Sequence, residues 1–502
     1  MALKFGTSGL RGLVTEMTDR ECYLYTKAYA GHLKTKGACS RVAIAGDLRS
    51  STPRIIKAVA FAMEEESFVV ENSGLVSTPA VANHGIRNNI ASIMVTGSHI
   101  PDNRNGIKFN MPWGEVLKSD EIEISALYQS LKTEDEQKNT EGTSIFDLEG
   151  YFKPNTVIVD RKKDNAAEEA YFRRNLSFFP AQGLKGLTVI LYKHSSVSRD
   201  LLARILKELG AEVISMGRSD TFIPVDTEAV ENTDQLYSWV KKYKADALVS
   251  TDGDGDRPLV VDERGDLVRG DVLGILVADF LGADSVSCPV SCNTALEKCQ
   301  KFKHTSRTRI GSPYVIESLN EALAKGFKKV VGYEANGGFL TASEILDPFS
   351  GKGLKALPTR DAILPIIAVL ISAVRQAKPL SDLIKELPKR FTVSNLLREF
   401  PNKTGKIIVS EFEKQGKILA ERYFQPAFGT VEDIDFTDGA RITFVGGDIV
   451  HMRPSGNAPE FRCYTESAEE DRARENNSRA LEIIANDIHP AIEEIQVSEG
   501  NR

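Results

Sequence analysis

The sequence predicts an α/β protein of several domains, closed by a smaller α+β domain at its C-terminus. Three observations lead there. The chain has 502 residues, which at roughly 100–200 residues per domain suggests three or four of them. Up to residue 380, short apolar runs alternate with segments whose apolar residues recur at helical spacing, the pattern of a largely parallel sheet covered by helices. From residue 381 onward the strands are paired around glycine turns, and one long helical segment ends the fold.

In the first region, Arg41–Ala45 reads as a buried strand ending in Gly46-Asp47. Ser51-Thr52-Pro53 then reads as a helix start, with a capping hydroxyl ahead of a first-turn proline. Ser67–Val70 and Ala91–Val95 are further strands, and the second runs into Thr96-Gly97-Ser98-His99-Ile100-Pro101. In such sheets ligands bind where loops leave the carboxyl ends of strands. Residues 120–155 are polar and read as a helix and linker. A second unit follows, with strands at Leu187–Tyr192 and Ala211–Met216 around a helix at Ser198–Leu209 closed by Gly210. Ala247–Val249 enters Asp252-Gly-Asp-Gly-Asp-Arg257, and Leu259–Asp262 follows at once. A third unit has a helix at Asp271–Phe280, a strand at Val286–Val290, a helix from Ser312, and the strand Lys328–Gly332 entering Glu334-Ala-Asn-Gly-Gly338. The apolar stretch Ile363–Val374 is short of the ~20 residues a membrane span needs and contains Pro365, so it reads as a buried helix. In the last region, Arg441–Val445, Asp448–Met452 and Phe461–Thr465 are strands, and Ala468–Ile488 is a helix.

Composition narrows the function classes. Hydrophobic residues are 41% and charged residues 26%, ordinary for a soluble globular protein. The formal net charge of −7, with no long Lys/Arg run, argues against nucleic-acid binding. Six cysteines include Cys288, Cys292 and Cys299, whose spacing lacks the CxxC pairs of zinc sites and reads as reduced thiols. The N-terminus carries no apolar leader. These features point to a cytoplasmic protein with no membrane partner.

The strongest chemical signal is Asp252-Gly-Asp-Gly-Asp-Arg257. Three carboxylates at alternate positions can surround one hard cation, Mg²⁺ or Ca²⁺, and would repel one another without it. An EF-hand is the rival, since Glu263 falls at the twelfth position. Arg257 occupies the place of its obligatory glycine, and the flanks read as strands. Arg257 suits phosphate oxygens beside the metal. Ser98 sits in a turn that can present its hydroxyl, with Asn105-Gly-Ile-Lys108 close by; His99 is a candidate base. Arg453-Pro-Ser-Gly-Asn-Ala-Pro-Glu-Phe-Arg462 has the makings of an anion cradle. Gly6-Thr-Ser-Gly-Leu-Arg-Gly12 allows close backbone approach to a ligand.

Taken in order, GTSGLRG, TGSHIPDNRNGIKF, DGDGDR, GYEANGG and RPSGNAPEFRCYTES resemble the loops of the α-D-phosphohexomutase superfamily, and within it the bacterial phosphomannomutases. The resemblance covers the whole chain. It implies a four-domain phosphohexomutase architecture: three related α/β domains at 1–150, 151–262 and 263–380, bearing the phosphoserine, metal and sugar loops, and an α+β domain at 381–502 bearing the phosphate loop. It implies that Ser98 is the phosphoserine, that Asp252, Asp254 and Asp256 bind Mg²⁺ together with Ser98, and that Arg11, Lys108, His99 and Arg257 serve the transferring phosphoryl group. Glu334 and Asn336 would contact sugar hydroxyls, with Gly311 and Tyr314 in a further sugar-recognition turn. Arg453, Ser455, Gly456, Asn457 and Arg462 would hold the other phosphate. The implied activity is interconversion of mannose 6-phosphate and mannose 1-phosphate through a hexose 1,6-bisphosphate, in supply of an activated mannose nucleotide; a monomer and a homodimer both remain open.

The sugar loop departs from the frequent GEMSGH form. Asn336 replaces the serine and Gly338 the histidine, a wording similar to phosphoacetylglucosamine mutases. The serine loop has Gly97 where many members have alanine, and the phosphate loop has Asn457-Ala458 for Thr-Glu. Phosphoglucomutase and phosphoglucosamine or phosphoacetylglucosamine mutase are the near alternatives. A metal-dependent phosphatase and a non-catalytic Ca²⁺-binding module are the remote ones.

Overall fold

The computed structural model describes residues 3–6, 9–347, 350–456 and 459–492. The chain divides into two compact units, Met1–Val286 with Gly311–Ile384, and Ser287–Ile310 with Lys385–Arg502.

The first unit opens with a seven-stranded sheet. Arg41–Gly46 lies next to one edge, pairing in parallel with the edge strand Val69–Leu75 on one side and with Ala91–Val95 on the other. Beyond Ala91–Val95 the sheet turns antiparallel, through Arg104–Met111, Gly9–Leu13 and Lys4–Gly6. The sheet is therefore mixed, not mainly parallel. The physical reason is loop length: a parallel return needs a crossover of about a dozen residues or more, and the chain from Val95 to Arg104 is too short for one. Helices Asp19–Thr35, Thr52–Glu65, Thr78–Asn88 and Lys118–Thr140 complete this region.

One local expectation is refined and another changes. Of the helix and linker expected over 120–155, the helix is present as Lys118–Thr140, and it is packed: Ile124 and Tyr128 are buried, and the Tyr128 ring stacks on Tyr25 at 3.8 Å between centroids. Its buried apolar residues are few, and Ile122 is exposed on another face, which hides the amphipathic pattern in a charged sequence. Ser51 does not cap its helix; its Oγ instead accepts from Asn105 Nδ2 at 2.8 Å.

The second sheet repeats the plan. Thr188–Tyr192 lies in parallel with Glu212–Met216 and Ala247–Thr251, and Ala247–Thr251 turns back antiparallel into Pro258–Asp262. The helices Ala166–Phe178 and Thr233–Tyr243 belong to this stretch and were not legible in the sequence pattern. Further along, Val330–Tyr333 pairs antiparallel with Phe339–Thr341, and that strand with Leu357–Asp361. Ile363–Gln376 is a helix whose residues from Ile363 to Ile371 are all buried, each large aliphatic contributing ~1.5–3 kcal/mol by burial. Among the described residues no helix is long and apolar enough to cross a membrane.

The same event thus occurs three times. A buried strand ends, a short loop follows, and the chain returns antiparallel: at residues 96–103, 252–257 and 334–338. The serine, metal and sugar loops of the sequence are these returns.

The second unit is built on a five-stranded antiparallel sheet, ordered Phe391–Arg398, Glu460–Ser467, Ile449–Pro454, Ala440–Phe444, Val431–Asp435. Helices Asn402–Gln415, Lys417–Phe428 and Glu470–Ile483 pack on it around a core that includes Phe412, Phe424, Phe444 and Phe461.

Candidate active site

Ser98 lies at the end of the buried strand Ala91–Val95 and is itself 1% exposed. Its φ is +54°, a left-handed conformation that costs a non-glycine residue ~1–2 kcal/mol. Two contacts hold it there. The Ser98 N–H donates to Thr96 Oγ1 at 2.7 Å, and its carbonyl accepts from Arg49 Nη2 at 2.9 Å. Arg49 also donates to the carbonyls of Ile100, Pro101 and Arg104, and lies 3.9 Å from the centre of the Phe222 ring. One buried guanidinium therefore folds the whole serine loop. It pairs with Asp47, which also accepts from Thr52 Oγ1 and Thr96 Oγ1, each at 2.7 Å. Gly97 is glycine because a Cβ would fall 2.6 Å from Arg49 Cζ.

The serine hydroxyl donates to Asp252 Oδ2 at 2.6 Å. Asp252, Asp254 and Asp256 are fully buried, and one ligand oxygen from each lies within 4.8 Å of the others. The loop holds them in a common manner. Asp252 Oδ1 accepts the N–H groups of Asp256 and Arg257 at 3.1 and 3.2 Å. Asp254 Oδ2 accepts from Thr78 Oγ1 and from Lys108 Nζ, the latter at 2.6 Å. Asp256 Oδ2 accepts from Lys108 Nζ at 2.6 Å and pairs with Arg360 Nη2 at 3.0 Å. Oδ1 of Asp254 and Oδ1 of Asp256 are buried with no hydrogen-bond partner. In Asp254 and Asp256 one oxygen is fixed by the protein and the other left over, as outer partners do in metal sites, whereas both oxygens of Asp252 accept hydrogen bonds. Burial, then the charges of Asp254 and Asp256, push the Asp252 carboxyl well above the usual carboxylate range. Burial also acts upward on Asp254, but the Lys108 ammonium overrides it and holds that carboxyl below its ordinary value. The donor set is all oxygen, anionic and buried, and it fits a hard divalent cation.

Positive charge gathers beside the carboxylates. Arg257 is buried, with Nε 3.8 Å from Asp256 Oδ1. Arg11, on strand Gly9–Leu13, is pushed down to about 10 by burial and then by the like charges of Arg257 and Arg360. Guanidiniums crowded this closely are matched to an anion of more than one charge. His99 Nδ1 is 3.4 Å from Ser98 Oγ. Burial, then Arg257 and Arg11, push its imidazole far below the ordinary histidine value, so it is neutral near pH 7.

The sugar-loop candidates stand in the same unit. Glu334 is 4% exposed and its Oε2 accepts from Arg360 Nη1 at 3.0 Å. Asn336 spends its Oδ1 on the N–H of Gly338 at 2.9 Å, and its carbonyl accepts from Thr227 Oγ1 at 2.9 Å. Its side chain therefore shapes the loop as well as lining it. Gly311 and Tyr314 sit at the start of helix Ser312–Ala324, where Ser312 Oγ donates to Glu115 Oε2 at 2.6 Å.

The phosphate-loop candidates belong to the second unit. Arg453 and Arg462 face each other in register on adjacent strands. Like charges directly opposite are unfavourable, which suits a pair meant to share an anion. Arg453 Nη1 pairs with Asp438 Oδ2 at 3.3 Å, and Arg462 Nη2 with Glu460 Oε2 at 3.5 Å. Ser455, buried beside exposed Gly456, donates its N–H to the Glu460 carbonyl at 2.8 Å. Asn457 lies outside the described residues.

Sequence reasoning missed Arg49, Thr78 and Arg360. Each acts on residues far along the chain, and the only local signal was a cation or hydroxyl next to a strand or helix end.

Four domain descriptions match the chain in order: phosphoglucomutase/phosphomannomutase alpha/beta/alpha domain I at residues 2–138, domain II at 169–265, domain III at 269–391, and the C-terminal domain at 378–482. A phosphomannomutase of Salmonella muenchen is 40% identical over 479 residues, covering 94% of this chain and 93% of the relative. A phosphomannomutase of Sinorhizobium fredii is 40% identical over 491 residues, covering 96% and 99%. In fold, the chain is similar to the crystal structure of a phosphoglucomutase/phosphomannomutase family protein from Burkholderia thailandensis, with a TM-score of 0.73, 19% identity, and 96% and 98% of the two chains covered. With all four domains present and two fifths of its residues shared with such relatives, the chain belongs to the phosphoglucomutase/phosphomannomutase family.

Proposed function

We propose that this protein is a phosphomannomutase, an isomerase that interconverts mannose 6-phosphate and mannose 1-phosphate in the cytoplasm through a phosphorylated Ser98. The observation that carries the reading is the 40% identity to phosphomannomutases over almost the full chain, joined to the 2.6 Å contact between Ser98 and the aspartate cluster. Supply of mannose 1-phosphate for an activated mannose nucleotide is the corresponding metabolic role.

Mg²⁺ would be held by Asp252, Asp254 and Asp256 with an oxygen of the phosphorylated Ser98, and when bound it supplies charge neutralisation at the phosphoryl oxygens. The chain's own groups do the rest. Arg11 and Arg257 bind the phosphoryl oxygens, and Lys108 holds Asp254 and Asp256 in place. The P–O bond to Ser98 breaks as a P–O bond to the sugar hydroxyl forms, giving a hexose 1,6-bisphosphate. The sugar hydroxyl's proton passes to neutral His99, whose tautomer protonated on Nε2 offers Nδ1, and from there to the departing Ser98 oxygen 3.4 Å away, which regains its hydroxyl. The bisphosphate then returns its other phosphate to Ser98, and a trace of hexose 1,6-bisphosphate primes the enzyme. Glu334 and Asn336 read the sugar hydroxyls, while Arg453, Ser455, Asn457 and Arg462 grip whichever phosphate is not reacting. Positioning and charge neutralisation are the main needs of phosphoryl transfer.

The test is turnover of mannose 1-phosphate, glucose 1-phosphate and glucosamine 1-phosphate with Mg²⁺ and a catalytic hexose 1,6-bisphosphate. Mannose 1-phosphate is expected to give the highest kcat/KM; a preference for the glucosamine substrate overturns the reading. Intact-mass analysis should detect a phosphate adduct that Ser98→Ala removes, with turnover falling by about 10⁴-fold or more when the nucleophile is lost.

A further inference from the structure

Arg360 stands at the end of strand Leu357–Asp361 and is 4% exposed. Its two terminal nitrogens reach different loops. Nη2 is 3.0 Å from Asp256 Oδ2 in the metal loop, and Nη1 is 3.0 Å from Glu334 Oε2 in the sugar loop. The strand end beneath it is fixed. Asp361 accepts from Tyr171 Oη, pairs with Arg174 Nη1 at 3.2 Å, and its Oδ1 receives the N–H groups of Ile363 and Leu364 at 3.0 and 3.1 Å. Arg360 is thus delivered from a rigid base to two carboxylates that no backbone ladder connects.

The space for its stem exists because residue 338 is glycine. A Cβ there would lie 2.8 Å from Arg360 Cγ and Cδ. Any side chain at 338 and the Arg360 stem compete for the same volume, and packed interiors do not absorb such an overlap cheaply. The departure of this chain from a histidine at 338 and the presence of a bridging arginine are one structural choice.

The bridge has two consequences. It holds Glu334 by a charge-assisted hydrogen bond, so the carboxylate's remaining acceptor sites point in a set direction. It also occupies Asp256 Oδ2, while Oδ1 accepts no hydrogen bond. We propose that Arg360 is a positioning residue that couples the metal loop to the sugar loop, orienting Glu334 toward hexose hydroxyls and Asp256 toward the cation, and that Gly338 is there to admit it. This rests on the mutase reading, which gives Glu334 a hexose to read. Lysine does not replace it, because a single ammonium on a flexible stem lacks the planar fork that spans two carboxylates. Its role is to act through Asp256 and Glu334.

The experiment compares full-length wild type, Arg360→Lys and Gly338→Ala. Steady-state kinetics use mannose 1-phosphate and glucose 1-phosphate, and calorimetry follows Mg²⁺ and, separately, mannose 1-phosphate binding to the unphosphorylated proteins. Thermal midpoints report folding. In Arg360→Lys the KM for mannose 1-phosphate should rise about 10-fold, the preference over glucose 1-phosphate should shrink, and the Mg²⁺ Kd should weaken about 10-fold, the lower end of the 10–100-fold that outer partners control. Gly338→Ala changes no charged group and should reproduce this pattern by displacing the arginine; it becomes the deciding variant if Arg360→Lys does not fold. Unchanged KM, preference and Mg²⁺ affinity in folded variants overturn the proposal. So does an equal loss of kcat on both sugars with KM and preference intact, the mark of a purely structural role. If wild type fails to turn over mannose 1-phosphate yet calorimetry still weakens in the variants, the mutase reading falls and the coupling stands.

Discussion

The serine–aspartate cluster and the C-terminal arginine loop both concentrate charge, but they do so in opposite ways. In the cluster, Ser98, Asp252, Asp254 and Asp256 are at most 1% exposed, and each carboxylate has at least one oxygen held by a protein donor. In the loop, the two arginines pair with Asp438 and Glu460 at 3.3 and 3.5 Å, and the Arg462 side chain is 43% exposed. Buried charge must be paired and hydrogen-bonded to be tolerated, so the cluster is rigid before any ligand arrives. Such preorganisation is what chemistry needs at atoms where charge develops. An arginine pair whose Arg453 is 15% and Arg462 43% exposed is open enough to release an anion and take it again, as the reversible grip proposed for it requires. The two regions divide chemistry from binding, and three perturbations test that division.

The largest effect is expected for Asp254→Asn in the cluster. It removes one anion from the cation site and leaves Lys108 with a single carboxylate. Turnover should fall by about a thousandfold, in line with the several kcal/mol of charge stabilisation that a bound cation supplies, and calorimetric Mg²⁺ binding should be lost. Retained Mg²⁺ affinity in this variant would falsify the assignment of the three aspartates as the cation site.

Next comes Arg453→Ala in the loop. Loss of charge-assisted hydrogen bonds worth ~1.5–3 kcal/mol predicts a KM for the hexose phosphate raised about 10–100-fold. The thermal midpoint should scarcely move, because the Asp438 pair is partly exposed and Arg462 is relieved of a like-charged neighbour. A KM equal to wild type would place the anion grip elsewhere and dissolve the comparison.

The smallest effect concerns His451, on the strand that carries Arg453. It is 2% exposed and its Nε2 lies 2.6 Å from the Asp438 carbonyl. Burial pushes it down to about 4, against about 6.5 in an unfolded chain. Above pH 6.5 neither state binds the proton, and the stability is fully present. As pH falls through the window from 6.5 to 4, the unfolded chain takes up a proton that the folded one refuses, so stability is lost, by up to ~3 kcal/mol. Below pH 4 both states are protonated and the loss levels off. His194, in the other unit, is likewise pushed down to about 4 by burial. His451→Gln should therefore flatten the acid side of the thermal-midpoint profile of the C-terminal unit and leave the His194 contribution in place. Parallel profiles for the variant and wild type between pH 7 and 5 would show that His451 is not the group responsible.

What could be read from the sequence follows from how the chemistry is encoded. The metal loop was legible because its three carboxylates and their arginine sit within six consecutive residues, Asp252 to Arg257. A short loop with that content has few other uses. Ser98 was legible at a strand end followed by a tight turn, and Arg453 and Arg462 were legible as cations flanking a Pro-Ser-Gly segment. The strands that bear these loops were legible as apolar runs, because a strand covered on both faces has no polar positions to dilute the pattern. The packing of helix Lys118–Thr140 was not legible, for the converse reason: its surface is charged, and the few residues that bury are widely spaced.

Ser98 and the Asp252–Arg257 loop, then, are properties of the sequence, each determined by neighbours in the chain. Arg49 and Arg360 are properties of the tertiary structure. Arg49 acquires its role only when the strand ends at Gly46 and Val95 lie side by side, so that one guanidinium reaches four carbonyls of the serine loop. Arg360 acquires its role only when strand Leu357–Asp361 pairs with Phe339–Thr341 and a glycine at 338 leaves room for its stem. No local pattern marks either residue, because the energy that places a buried cation comes from partners distant in sequence, and burial beside those partners is decided by folding.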